Sequence, residues 1–271
     1  MDIRNFFGIV RFTIQDELHN KSFYVLTAVS IFFVLLIRGS FNSSVVVNGQ
    51  HVDPTTVGYN ASIIAFNIIA SAGVLMAVLL SMRVLKRDNE NGMASMIFSK
   101  PVKRIEYLTG KIAGIWILVY SLTLILHIAV YLIMLFNTGG RIPFFIPASL
   151  ITSLNILFAI IIVLLFSMIM PDFIAALTTI GIAFVSLGID SFQAVSQNAA
   201  VQSLIGQQDT HIPLWRILWP KLVALQFFAT SIIKETDFQQ TGPLNPLFNI
   251  ALYSILLFAI LFWKVSREEL Q

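Results

Sequence analysis

Between positions 86 and 111 the chain reads KRDNENGMASMIFSKPVKRIEYLTGK, a run crowded with ionisable and amide side chains. Asp88 and Glu90, with two asparagines between and after them, suit the positive end of a short helix. Met93, Met96, Ile97 and Phe98 would give that helix an apolar stripe, and Pro101 would stop it. Lys103, Arg104 and Lys111 then lead into a long apolar block. An apolar stripe outside the bilayer must be buried against something. The surface can be a separate soluble partner, the membrane face, or the helix ends of the chain itself.

Other residues with chemical potential are sparse. Asn67, His127 and Asn155 lie inside apolar runs, where a polar group costs free energy and needs a reason. Each either lines a path or ties neighbouring helices by a hydrogen bond. The histidines, at 19, 51, 127 and 211, form no metal-ligand pair at helical spacing. Neither H-E-x-x-H nor G-x-S-x-G occurs. Gly110-Lys111 is the single Gly-Lys pair, with Ile105 and Ile112 where a phosphate-binding loop needs glycine and a hydroxyl. With no cysteine in the chain, thiolate sites and disulfides are excluded. No catalytic site, metal or bound cofactor is expected.

The elements that would position these residues are set by composition. Of 271 residues, 57% are hydrophobic and 11% charged, against about 25% charged in soluble domains. Apolar runs fall at about 22–37, 60–82, 112–136, 146–170, 173–187 and 247–265, and about 20 such residues cross a hydrocarbon core. Met170-Pro171-Asp172 divides one long block into two helices. The expected fold is all-α, a polytopic membrane protein of six transmembrane helices forming a single domain over 1–271. The +3 net charge sits at the ends of apolar runs, which suits headgroups and topology and not a nucleic-acid surface.

Placing the N-terminus inside gathers twelve of the seventeen Lys and Arg on one side, so both termini are expected in the cytoplasm. Residues 3–20 read as an interfacial elbow helix, with Ile3, Phe6, Phe7, Val10, Ile14 and Leu18 on one arc. Ile9 and Phe12 break that stripe. On the other side, about 190–246 form an outer loop. Its apolar stretch 214–233 carries Arg216, Pro220 and Lys221 near its start, so it reads as an interfacial or re-entrant helix and not a seventh span.

The region 86–104 resembles the coupling helix of ABC-2 type permeases. It has the acidic cluster Asp88 and Glu90, then Gly92, the apolar run 96–98, Ser99, Pro101, Arg104, and Gly110 with Lys111. Met93 stands where the family usually has threonine. The elbow, six spans and large outer loop before the last span extend the likeness along the chain. The resemblance implies a transmembrane subunit of an ABC exporter in the inner (cytoplasmic) membrane. It further implies pairing with a second permease chain, among membrane lipids, over two separate cytoplasmic ATPase subunits that hold ATP and Mg. Asp88, Glu90, Gly92, Met93, Met96 and Ile97 would contact the ATPase. Pro101, Arg104, Gly110 and Lys111 would anchor the loop at the membrane surface. Two rival readings are an ion-coupled carrier, which needs ionisable residues in mid-span and finds only His127, and a non-transporting membrane scaffold.

Overall fold

The computed structural model describes residues 3–40, 46–47, 50–51, 53–90, 92, 102–196, 219–238 and 244–267. Among them the architecture is all-α. The helices are α1 (Ile3–Leu18), α2 (Lys21–Ser40), α3 (Pro54–Ser81), α4 (Val84–Glu90), α5 (Arg104–Thr138), α6 (Phe145–Ser167), α7 (Asp172–Ser196), α8 (Leu222–Lys234) and α9 (Pro246–Arg267). The β structure described is one antiparallel pair of two-residue strands, Val46–Val47 with Gln50–His51.

Five helical stretches are long and apolar enough to cross a membrane: α3 running on through α4, then α5, α6, α7 and α9. The bent pair α1–α2 makes a sixth, with 72° between its limbs. The chain is a multi-pass membrane protein. The corner is braced by Asn20, whose side chain accepts from the Ser22 N–H at 3.1 Å and donates to Glu17 at 3.4 Å.

Helix starts follow local chemistry. Asp53 caps α3 by accepting from the Thr55 N–H, with Pro54 in the first turn. Glu106 accepts from the Lys103 N–H at 3.3 Å, which starts α5 at Arg104. The sequence places that start near Ile112; the difference arises because the basic lead-in is itself helical, capped from within. Gly139, at φ 69°, ends α5 in the left-handed conformation that glycine adopts without strain.

The central element is α6. Phe158 to Leu165 are all buried, so the run is apolar on every side, as a helix ringed by others must be. It packs against α3, α5, α7, α8 and α9. The peripheral α2, α7 and α9 leave large side chains exposed, among them Phe32, Phe184 and Trp263, the surface expected where the solvent is lipid.

The elbow helix is present, but its packed face differs from the apolar arc. Ile3 and Phe7 are exposed, while Ile9, Val10, Thr13 and Glu17 are buried. Ile9, which breaks the stripe on a helical wheel, is a principal contact. The reason lies on α5: at Gly110 and Gly114 a Cβ would come within 2.7 Å of Ile9 and 2.8 Å of Thr13. Two glycines four apart let the α1 backbone sit close against α5, the small-xxx-small arrangement the sequence displays there.

Candidate functional site

The charged residues before the loop converge on α4. Arg87 forms ion pairs with Asp16 and Glu17 of α1. Glu17 is fully buried, and its carboxylate meets the Arg87 guanidinium. Asp88 turns to α5, where its Oδ2 lies 2.6 Å from Lys111 Nζ and accepts from the Tyr107 hydroxyl. Lys111 is fully buried, its ammonium 5.3 Å from the centre of the Phe12 ring. Phe12, the other break in the elbow stripe, is thus the lid on this pair. Lys86 reaches the turn before α7, with its Nζ 2.8 Å from Asp172 Oδ1 and 3.3 Å from the Met170 carbonyl. Arg83 lies 3.7 Å from the same carboxylate.

Four charged residues, Arg83, Lys86, Arg87 and Asp88, thereby tie α4 and its lead-in to α1, α5 and the α6–α7 turn. The contacts differ in strength. The Asp88–Lys111 pair is dry, so losing one partner strands a buried charge. The Lys86–Asp172 and Arg83–Asp172 pairs are partly exposed and screened.

Asp88 is buried against Lys111 and Tyr107. Lys111 lies two turns inside α5, fully buried. Asp88 and Glu90 close α4, and Gly92 follows at φ 67°. Glu90 and Gly92 are exposed. Met93, Met96, Ile97 and Pro101 fall outside the described residues. Arg104 binds within the protein, donating to the carbonyls of Val265 and Ser266, both at 2.9 Å. Gly110 is the seat of α1.

The mid-span polar residues serve two places. His127 stacks on Phe66 at 4.5 Å, with Nδ1 2.8 Å from Ser149 Oγ and Nε2 3.3 Å from the Phe66 carbonyl. Both ring nitrogens are occupied, which joins α3, α5 and α6. Asn67 and Asn155 instead meet α8. Thr230 donates to Asn67 at 3.3 Å, and Asn155 donates to the Leu222 carbonyl at 2.8 Å.

Because α8 has 13 residues, about 20 Å of rise, it is too short to span. Its first turn is buried, and its free N–H groups find side chains from other helices. Asp190 accepts from the Ala224 N–H at 2.8 Å, Ser186 from the Leu222 N–H at 3.1 Å, and Asn249 from the Lys221 N–H at 3.0 Å. Its far end meets the start of α3, where the Tyr59 hydroxyl donates to the Ile233 carbonyl. The segment read as interfacial or re-entrant is therefore a helix whose start is sunk among α6, α7 and α9. Sequence reasoning missed Ser71, Ser186, Asp190, Gln226 and Asn249. The available signal was their position: polar residues within or beside apolar runs, each needing a partner.

No curated protein matches the chain. The family model of the ABC-2 family transporter proteins matches residues 7–264, nearly the full length, elbow and last span included. The chain belongs to the ABC-2 transporter family and is a membrane permease subunit of an ABC transporter.

Proposed function

We propose that this permease works in an exporter, driven by ATP hydrolysed on separate ATPase subunits that dock at the loop following Glu90. The observation that carries this reading is the convergence of three sets of ionic contacts on α4, the last described helix before that loop. Force applied beyond Glu90 meets α4 first. It then passes through Arg87 to α1, through Asp88 to α5 and through Lys86 to the α6–α7 turn. Rigid elements joined by charged contacts are a means by which a docking event can bias a membrane pathway.

In this reading the α4 end of the bundle faces the cytoplasm, two permease chains pair in the membrane, and two ATPases hold ATP and Mg beneath them. Glu90 and Gly92, with Met93, Met96 and Ile97 beyond them, form the docking surface. Asp88 acts at one remove, by holding α4 against α5. The test is copurification of the tagged chain from mild detergent. A P-loop ATPase is expected with the native chain and is expected to fall at least about tenfold with Glu90→Arg or Met96→Asp, equivalent to about 1.4 kcal/mol of docking. Recovery of no ATPase under conditions that keep membrane complexes intact would overturn the reading.

A further inference from the structure

A cleft of about 140 Å³ opens between α3, α6, α7 and the first turn of α8. Its walls are apolar, with Leu75, Ile180, Ala183, Phe184, Leu187 and Val223 among them. The polar residues in its lining are Ser71, Gln226 and Asn155. Ser71 and Gln226 lie within 3.5 Å of each other and satisfy one another. Asn155 is different. Its amide nitrogen is fixed on the Leu222 carbonyl, which settles the orientation of the group. Its Oδ1 is buried and accepts no hydrogen bond among the described residues.

A buried acceptor without a donor is costly, and native structures rarely leave one. A water can serve, but the cleft exceeds the roughly 30 Å³ that one water needs. Leu75, Phe184 and Leu187 are all exposed, so its mouth is apolar. Among the described residues no ionisable side chain lines it, so a charged group inside would find no counter-ion there.

We propose that this cleft binds an uncharged amphiphile, its apolar chain between α3 and α7 and a hydroxyl or amide N–H donated to Asn155 Oδ1. An acceptor recognises donors alone, so an ether of the same chain length leaves Oδ1 unpaired and binds more weakly. A bilayer lipid and an exported cargo molecule both offer this chemistry. The site does not depend on an ATPase partner, so its test stands apart from that of the proposed function.

The test uses the full chain in phosphatidylcholine nanodiscs and a dodecan-1-ol bearing a mid-chain diazirine, with labelled peptides mapped by mass spectrometry. Labelling is expected within 180–187 and at Val223, competed at least about tenfold better by dodecan-1-ol than by its methyl ether. Asn155→Leu should erase that preference. Ala183→Trp fills the cleft from α7, leaves Asn155 in the chain and should remove the label. Equal competition by alcohol and ether would mean that Oδ1 meets only water, and unchanged labelling of Ala183→Trp would place the ligand elsewhere; either overturns the proposal. Once binding is shown, the complex with its ATPase distinguishes the source, and both outcomes support the site. Occupancy that falls severalfold on adding ATP marks cargo, and occupancy indifferent to ATP marks a lipid.

Discussion

Lys111 and Asp172 are both charged residues in ion pairs at the α4 end, yet their surroundings give them different weight. Lys111 is fully buried, with Asp88 2.6 Å away, so Lys111→Met leaves a carboxylate without its counter-ion in a dry site. A loss of about 3–5 kcal/mol is expected, read as a lower unfolding temperature in detergent. The double variant Asp88→Asn with Lys111→Met should recover much of it, because no charge then remains to be stranded. Asp172→Ala removes the partner of Lys86 and Arg83, which are 40% and 67% exposed. It should cost under about 1 kcal/mol by the same assay. Gly110 and Lys111 were legible in the sequence as a pair of positions. That Lys111 points inward was not, because its partner lies 23 positions earlier and the two meet only when α4 folds against α5.

At the scale of elements, α1 shows where a helical wheel stops being informative. A wheel finds the face that is apolar, whereas packing chose the face that fits. Ile9, Val10 and Thr13 meet two glycines on α5, and Ile3 and Phe7 are left outward. In a bilayer both faces have an apolar surface to meet, so hydrophobicity alone cannot choose between them and shape decides. Gly114→Leu should therefore dislodge α1. Its new side chain would begin 2.8 Å from Thr13 Cβ and 3.1 Å from the Val10 carbonyl oxygen, an overpacking worth about 1–3 kcal/mol. The check is limited trypsin digestion, with faster cleavage at Arg4 and Arg11. The start of α5 at Arg104 and the sunken start of α8 were illegible for another reason. Both are set by side-chain bonds across distance or across a cap, and an apolar count registers neither.

At the scale of the molecule, the alternation of spans and the clustering of cations were read directly from composition, because a membrane constrains both. The helix directions bring α4, the start of α5, the α6–α7 turn and the end of α9 to one end of the bundle. The sequence lacks cysteine, so single-cysteine reporters need no background removal. Ser266→Cys should react with an impermeant maleimide only from the cytoplasmic side, and Thr236→Cys only from the opposite side. Labelling of Ser266→Cys from the opposite side would overturn the assignment of the α4 end to the cytoplasm.

An α-helix leaves its last four carbonyls without intrahelical partners, and Arg104 takes two of them on α9, those of Val265 and Ser266. The last turn of α9 is thus fastened by a side chain from the first turn of α5, next in the chain after the loop that follows Glu90. A nitroxide placed on that turn should give a spectrum whose mobility follows the position of α5 and not the fraying of a free helix end. With Arg104→Leu the same label should narrow to the spectrum of an untethered terminus. The end of α9 would then serve as a remote gauge of what the loop does.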